Sequence, residues 1–158
     1  MSKKLNKKEI EKFSRQIIIK NVGALGQKKI QEAKVLIIGM GGLGCPAAEF
    51  LTRSGIGTLG LADYDRVGLS NIHRQTLYTE KDINKSKVKI SKKKLNEINP
   101  KTRINIFDYK LDKIKLNKII KDYDYIIDGT DNFESKFLIN DLSLKYKKFL
   151  VAGAISKF

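Results

Sequence analysis

The chain contains a single cysteine, Cys45, among its 158 residues, and this scarcity limits the chemistry available to it. One cysteine excludes an intramolecular disulfide and a cysteine-based zinc site. A lone cysteine is usually a small buried hydrophobe, and we interpret Cys45 in that way. The single histidine, His73, has no His, Cys or acidic partner at a metal-ligand spacing. We therefore treat His73 as structural, and no Ser-His-Asp set can be assigned.

Long hydrophobic runs are also missing, since none approaches the roughly 20 residues that a transmembrane helix needs. The basic N-terminus at residues 1–8 is followed by no apolar segment, which argues against a secretory signal. We therefore expect a cytoplasmic protein without a membrane partner. A length of 158 residues, 41% of them hydrophobic, supports one domain with a core and is too short for two.

Arginine is scarce although the formal net charge is +15. It occurs only at Arg15, Arg53, Arg66, Arg74 and Arg103, so the positive excess is lysine. Nucleic-acid surfaces rely on arginine and interleaved aromatic side chains. We therefore interpret the charge as a solvated lysine surface and regard nucleic acid as the least favoured partner. Steep salt dependence of DNA or RNA binding would argue for such a partner.

Apolar runs alternate with helical patterns along the chain. Strands are predicted at residues 34–38, 58–62, 103–107, 125–128 and 149–152. Helices are predicted at 27–32, from Pro46 onward, and at 86–99, 116–121 and 133–146. Asn6 and Glu9 form a capping-box pattern, with Ile10, Phe13 and Ile17 following at helical spacing. The alternation predicts a Rossmann-like α/β fold, a mostly parallel sheet with helices on both faces, preceded by short N-terminal helices.

Three polar clusters follow predicted strands: the glycine cluster from Gly39, residues 63–74, and residues 128–132. Ligands of such sheets bind beyond the carboxyl ends of the strands, so the clusters predict one nucleotide site. We expect a single domain over residues 1–158, with N-terminal helices at 1–33 and the Rossmann-like core at 34–158.

Gly39, Gly41 and Gly44 give the spacing G-x-G-x-x-G between a strand and a helix. Glycine permits the tight turn and a close backbone approach to phosphate, and the following helix offers free N–H groups. The simple alternative is a strand–helix turn. Asp63 ends the next strand, where a carboxylate can accept hydrogen bonds from ribose hydroxyls. Asp65 is a second candidate, which spacing alone does not rank.

Arg74 and Lys87 are cations expected near the same edge of the sheet. Arginine can grip a phosphate with two hydrogen bonds, and lysine acts as a point charge. Asp131 follows the fourth strand and could hold Mg²⁺ through oxygen or cap the next helix. Both roles remain open.

Together these stretches resemble the ThiF/MoeB/HesA family, relatives of the ubiquitin-activating enzymes. The matching segments are SRQI (14–17), VLIIGMGGLGCP (35–46), GIG (55–57), LADYD (61–65), LSNIHRQ (69–75) and DGTDN (128–132). The combination of GxGGLG, SNxxRQ and TDN is far more specific than any one of them.

The resemblance implies roles for matching residues. Gly42 and its neighbours would cradle phosphates, Asp63 would bind the ribose, and Asp131 would bind Mg²⁺. Arg15 would reach the partner subunit's site, which implies a homodimer. The implied catalytic residues are Arg15, Arg74, Lys87 and Asp131. The implied nucleotide-binding residues are Gly39, Gly41, Gly42, Gly44, Asp63, Asp65, Ser70, Asn71, Arg74, Gln75, Lys87, Asp131 and Asn132.

The implied reaction is ATP- and Mg²⁺-dependent adenylation of the C-terminal glycine of a ubiquitin-like sulfur-carrier protein. It yields an acyl-adenylate and pyrophosphate in the thiamin or the molybdopterin pathway. Residues 57–58 and 79–83 lean towards the thiamin branch. Family members typically continue further, with paired CxxC zinc motifs whose ligands are missing here. We therefore expect either a piece of a longer protein or a short form that needs a partner.

Other functions remain open. A relative that dehydrates threonylcarbamoyladenosine in tRNA and a catalytically incomplete ATP-binding subunit share the motifs. An NAD-dependent oxidoreductase would explain the glycine loop and Asp63, but not Asn71, Arg74 and Lys87.

Overall fold

The protein is built on five parallel strands, seen in a computed structural model that describes residues 5–155. The strands are Lys34–Ile38 (β1), Thr58–Ala62 (β2), Arg103–Phe107 (β3), Tyr125–Asp128 (β4) and Phe149–Ala152 (β5). All five match the predicted bounds. They form one sheet in the order β3-β2-β1-β4-β5, which confirms the predicted Rossmann-like fold. Residues 1–4 and 156–158, which include the start of the basic N-terminus, lie outside the described part.

Helices cover both faces of this sheet. They are Lys7–Lys12 (α1), Ser14–Ile17 (α2), Gly23–Glu32 (α3), Gly44–Arg53 (α4), Lys87–Ile98 (α5), Lys113–Ile119 (α6) and Phe133–Lys145 (α7). Short 3₁₀ turns occupy Leu69–Asn71, Glu80–Asp82 and Ile120–Asp122.

The apolar residues of β1 explain the two-sided packing. Successive side chains of a strand point to opposite faces, so Val35 and Ile37 join one buried cluster and Leu36 and Ile38 join the other. Helices α4 and α5 complete the first cluster, while α6 and α7 complete the second. An unbroken apolar run is therefore required in this central strand.

The N-terminal helices differ in part from the prediction. The capping box of Asn6 and Glu9 is confirmed. The expected continuous helical spacing, however, is interrupted at Phe13, which separates α1 from α2. Phe13 is buried against Gly55, where an added Cβ would lie 2.5 Å from its ring. Packing against the core thus outweighs helix continuity at this point.

The starts of two helices also differ from the prediction by a few residues. Helix α3 begins at Gly23 instead of residue 27, and α6 begins at Lys113 instead of residue 116 because Asp112 accepts a hydrogen bond from the Lys115 N–H as N-cap. Ser86 caps α5 from outside the helix. These shifts leave the order of elements unchanged.

The strand order places β1 between β2 and β4, so the connections after β1 run to one side and those after β4 to the other. This is the topological switch point, where α/β sheets bind ligands. The loops after β1, β2 and β4 therefore meet at one edge. Among residues 5–155, no helix has the length and apolarity to cross a membrane.

Candidate functional site

The glycine-rich loop joins β1 to α4 at the switch point. Gly39 has a φ of +91° and lies so near the β4 loop that an added Cβ would be 2.8 Å from the Gly129 carbonyl oxygen. A Cβ on Gly44 would overlap the Gly39 carbonyl oxygen. These two glycines are required for the loop to close against its neighbours, and they bring the β1 and β4 loops into contact.

The same loop presents unused hydrogen-bond donors. Within the described chain, the N–H groups of Gly41, Gly42 and Leu43 donate to no backbone or side-chain acceptor. They precede α4, whose ten residues carry the positive end of a helix dipole here. Free N–H groups at such a terminus bind phosphate or carboxylate groups. This arrangement suits the predicted role of Gly41 and Gly42.

Asp63 lies just beyond β2 and touches this loop. Its Oδ2 accepts a hydrogen bond from the Met40 N–H at 2.8 Å, and its Oδ1 accepts one from the Asp65 N–H at 2.8 Å. Burial raises the pKa of Asp63 above its ordinary value, against the lowering effect of these N–H groups and of Lys87. Asp65 is exposed, whereas the Asp63 side chain bonds to the glycine loop. This difference separates the two candidates for ribose binding, which spacing alone did not rank.

Lys87 is the most unusual lysine of the site, since its side chain is only 6% exposed. Its Nζ lies 3.0 Å from Asp65 Oδ2 and 4.0 Å from Asp63 Oδ2. The two carboxylates hold a buried positive charge beside the glycine loop. The sequence offered no local signal of this burial among so many surface lysines.

Residues 69–75 pack over the glycine loop. The aliphatic stem of Arg74 lies 3.6 Å from the position of an added Cβ on Gly42, and Gln75 Nε2 lies 3.8 Å from the equivalent position on Gly41. Gln75 is buried, and its Oε1 has no partner among the described residues. The SNxxRQ motif thus contacts the GxGGLG motif directly.

The polar groups of this segment are arranged by local hydrogen bonds. Arg74 Nη1 donates to the Ser70 carbonyl at 2.8 Å, and Asn71 Oδ1 accepts from the Gly68 N–H at 3.1 Å. Arg74 is otherwise exposed, with His73 Nε2 3.4 Å from its Nη1. His73 therefore lies exposed beside Arg74, at the surface of the site.

The last residue of β4 forms an ion pair with α7 that sequence reasoning missed. Asp128 is 2% exposed and accepts hydrogen bonds from the Thr130 N–H at 2.9 Å and from Lys136 Nζ at 3.1 Å. Lys136 also donates to the Gly153 carbonyl at 2.8 Å. The pair ties the ends of β4 and β5 to α7. A lysine in the first turn of the helix that follows a strand-ending aspartate was the available signal.

Asp131 is exposed, and its carboxylate pairs with no other described residue. The alternative that Asp131 caps the next helix is wrong, because Asn132 is the N-cap and accepts from the Ser135 N–H at 2.9 Å. Asn132 Oδ1 is therefore engaged in capping. Residues 5–155 contain no cluster of three or more His, Cys, Asp or Glu side chains suited to a metal.

Two further residues lie apart from this arrangement. Arg15 is exposed on α2 and makes no hydrogen bond or ion pair with another described residue. Cys45 is fully buried in α4, where burial raises the pKa of its thiol to about 11. A protonated, inaccessible thiol is a poor nucleophile, in agreement with its interpretation as a small hydrophobe.

The profile of the ThiF family matches residues 13–158. A probable molybdopterin-synthase adenylyltransferase of Porphyra purpurea is 43% identical over 95% of this chain and 39% of its own length. A sulfur carrier protein adenylyltransferase of Thermus thermophilus is 38% identical over 96% of this chain and 56% of its own length. The chain therefore spans about half the length of the curated relatives it matches, or less.

Solved structures show the same fold. PaaA superimposes with a TM-score of 0.84 and 32% identity, covering 96% of this chain and 49% of its own. TcdA (CsdL) superimposes with a TM-score of 0.86 and 25% identity, covering 93% of this chain and 58% of its own. MccB of E. coli, solved with AMPCPP and MccA, superimposes with a TM-score of 0.80 and 27% identity. The match covers 89% of this chain and 44% of MccB.

These matches agree with the geometry, in which the three motifs of the resemblance meet at one edge of the sheet. The match extends over almost the whole chain and includes every element of the site. The chain belongs to the ThiF family.

Proposed function

We propose that this chain is the nucleotide-binding part of an adenylyltransferase that activates the C-terminal carboxylate of a ubiquitin-like sulfur-carrier protein. The observation that carries the proposal is the meeting of free loop N–H groups with two cations, Arg74 and Lys87, at the switch point. Both relatives described above are named adenylyltransferases. MccB, a further relative of known structure, holds AMPCPP together with MccA.

The nucleotide would lie with its phosphates on the N–H groups of Gly41 and Gly42. Arg74 packs over this loop with its guanidinium exposed, and the amide nitrogen of Asn71 has no partner among the described residues. Both can donate to phosphate oxygens. Asp63, already anchored to the loop, would accept a ribose hydroxyl. Ser70, Gln75 and Asn132 remain predicted contacts.

In the reaction, a carboxylate oxygen of the carrier attacks the α-phosphorus of ATP. The bond between the α-phosphorus and the bridging oxygen breaks, and pyrophosphate leaves with the electron pair. A carboxylate is already deprotonated at neutral pH, so no general base is needed. Catalysis then rests on alignment and on stabilisation of phosphoryl charge. The buried cation of Lys87 suits this task because a charge is most effective where water is excluded.

The residues present fit a magnesium ion. Mg²⁺ is commonly held by one or two carboxylates together with substrate phosphates, and Asp131 offers an unpaired, exposed carboxylate. The ion would neutralise phosphate charge when bound. A zinc site of paired cysteines does not fit, since Cys45 is the single cysteine of the chain and is buried.

A homodimer completed by Arg15 and a cytoplasmic location belong to the same proposal. The exposed, unpaired Arg15 side chain supports the first. The division into N-terminal helices and a core within one domain also stays a prediction.

Of the two pathways, the name of the Porphyra purpurea relative supports molybdopterin. Neither relative described above is named for thiamin, so the lean towards that branch stays a prediction.

A tRNA-modifying function is the second candidate, favoured by the TM-score of 0.86 with TcdA. A TcdA of E. coli is named a tRNA N6-threonylcarbamoyladenosine dehydratase. Against it, TcdA is 25% identical to this chain, whereas the curated adenylyltransferases are 43% and 38% identical. The carrier protein is therefore the preferred substrate.

ATP–pyrophosphate exchange tests the proposal. The chain is assayed with Mg²⁺, with and without a sulfur carrier ending in Gly-Gly, and separately with tRNA bearing threonylcarbamoyladenosine. Carrier-dependent exchange is expected, and Arg74→Ala and Lys87→Met should reduce it by roughly 100-fold or more.

Lys93→Met is the matched control. Lys93 lies on the same helix six residues later, where its side chain is exposed and forms no ion pair with another described residue. It should exchange like the wild type. Equal exchange by Lys87→Met and wild type would contradict the proposal. Turnover of the tRNA alone would favour the dehydratase. ATP binding without any exchange would indicate a catalytically incomplete subunit.

A further inference from the structure

The peptide units on both sides of Met40 are held by side chains from other parts of the fold. Met40 is the second residue of the glycine loop and is fully buried. Its N–H donates to Asp63 Oδ2 at 2.8 Å. This bond fixes the peptide unit between Gly39 and Met40.

The Met40 carbonyl is held from the opposite direction. It accepts a hydrogen bond from the Tyr78 hydroxyl at 3.0 Å and another from the Cys45 thiol at 3.3 Å. Tyr78 is 3% exposed and belongs to the core cluster on this face of the sheet. The carbonyl therefore points into the core.

The direction of the hydrogen bonds follows from the atoms involved. A carbonyl only accepts, so the one proton of Tyr78 goes to Met40. The Ser91 hydroxyl, 3.1 Å from Tyr78 Oη, must then donate to Tyr78. Burial raises the pKa of Tyr78, so the phenol keeps its proton at neutral pH. The chain of donors thus runs from Ser91 through Tyr78 to the loop.

The orientation of this carbonyl decides where the next N–H points. The described chain has no cis peptide bond, and in a trans peptide the C=O and N–H point in opposite directions. The Met40 carbonyl and the Gly41 N–H belong to one peptide unit. Directing the carbonyl into the core therefore turns the Gly41 N–H outward, where it has no acceptor among the described residues.

We propose that Tyr78 is a positioning residue for the phosphate-binding loop, acting through its hydrogen bond to the Met40 carbonyl. This inference rests on the proposed nucleotide function. A phenylalanine would fill the same space in the core, so only the hydroxyl serves this purpose. Cys45 supports the same carbonyl, but a thiol is a weak donor and does not replace the phenol.

Tyr78→Phe tests the proposal, with Tyr123→Phe as the matched control. Tyr123 is also buried, and its hydroxyl bonds to Asn105 on the other face of the sheet. In Tyr78→Phe, the dissociation constant for Mg·ATP should rise roughly fivefold to tenfold, the effect of one net hydrogen bond. The amide ¹⁵N signal of Gly41 should shift in the ligand-free protein. Neither change is expected in Tyr123→Phe.

Ser91→Ala is a second control, because Tyr78 keeps its bond to Met40 there. It should bind ATP like the wild type. Either an unchanged ATP affinity or an unmoved Gly41 signal in Tyr78→Phe would overturn the inference. Equal losses of affinity in both tyrosine variants would overturn it as well, since they would reflect stability alone.

The two proposals can fail separately. If the wild-type chain binds no ATP, the proposed function fails, and the ligand-free Gly41 signal still decides whether Tyr78 orients the loop. A shift in Tyr78→Phe alone would support that orientation, and no shift would refute it. If the wild type binds ATP and Tyr78→Phe binds it equally well, only the inference about Tyr78 fails.

Discussion

Lys87 shows how burial gives one residue among many a distinct role. Most lysines among residues 5–155 are at the surface, whereas the Lys87 ammonium lies between Asp63 and Asp65 with a side chain 6% exposed. No local pattern separates Lys87 from Lys85 or Lys89. Only the family motif indicated it, since burial depends on how β2 and α5 meet in three dimensions.

Gly44 and Gly41 belong to one motif but differ in the space available for a side chain. A Cβ on Gly44 would overlap the Gly39 carbonyl, whereas a Cβ on Gly41 would meet its first neighbour at 3.8 Å. We predict that Gly44→Ala destabilises the fold by about 3 kcal/mol or more, as overpacking against backbone cannot relax. Gly41→Ala should change the free energy of unfolding by about 0.5 kcal/mol at most.

Urea unfolding of the two glycine variants and the wild type measures this difference. Gly41→Ala is the internal control, because it makes the same chemical change in the same loop. Equal unfolding midpoints for the two variants would mean that the loop is not closed against Gly39 in the manner described.

At the scale of elements, the strands were predicted correctly in type and bounds because each is a short apolar or alternating run between turn residues. Helix starts were predicted less well. The start of α6 depends on Asp112, and the break at Phe13 depends on the contact with Gly55. A tertiary contact of this kind leaves no periodic trace in the sequence.

The connection between β2 and α5 depends on a second carboxylate. Asp82 accepts hydrogen bonds from the Thr79 N–H and hydroxyl, and Lys94 Nζ lies 3.0 Å away. Burial alone would raise the pKa of Asp82, but these donors and the Lys94 charge lower it to about 2. The pair joins the Glu80–Asp82 turn to the middle of α5.

Asp82→Asn should therefore destabilise the protein in a pH-dependent manner. A carboxylate whose pKa is lowered on folding stabilises the folded state at any pH above its unfolded pKa of 3.8. This contribution is lost as the pH falls towards the folded pKa of about 2. We predict a loss of about 2 kcal/mol at neutral pH, shrinking below about pH 4.

Unfolding free energies measured from neutral pH down to acid pH test this prediction. Asp141→Asn, at an exposed position, is the control and should change stability by about 0.5 kcal/mol or less at every pH. A loss in Asp82→Asn that stays constant with pH would contradict an ionic contribution.

At the scale of the molecule, strand order brings distant motifs together. The glycine loop and the loop after β4 are separated by about ninety positions along the chain, yet an added Cβ on Gly39 would nearly touch Gly129. The alternation of strands and helices predicted a parallel sheet. Because ligands of such sheets bind beyond the carboxyl ends of the strands, it also predicted that the three polar clusters lie at one edge. The contacts of Arg74 with Gly42 and of Asp63 with Met40 could not be read from spacing, because they depend on how the loops pack.

The proposed site belongs to the part of the family that this chain covers, while the relatives described here are longer. Nucleotide binding is therefore the central claim. Recognition of the carrier protein rests on it.

Titration of the isotope-labelled chain with Mg·ATP, followed by amide spectra, tests this claim most directly. We predict that the largest shifts fall on Gly41, Gly42 and Leu43, with smaller ones near Asp63 and Asp131. Lys34, Thr58 and Arg103 begin their strands at the opposite edge and should not move. Absence of saturable shifts, or shifts centred on that opposite edge, would contradict the account.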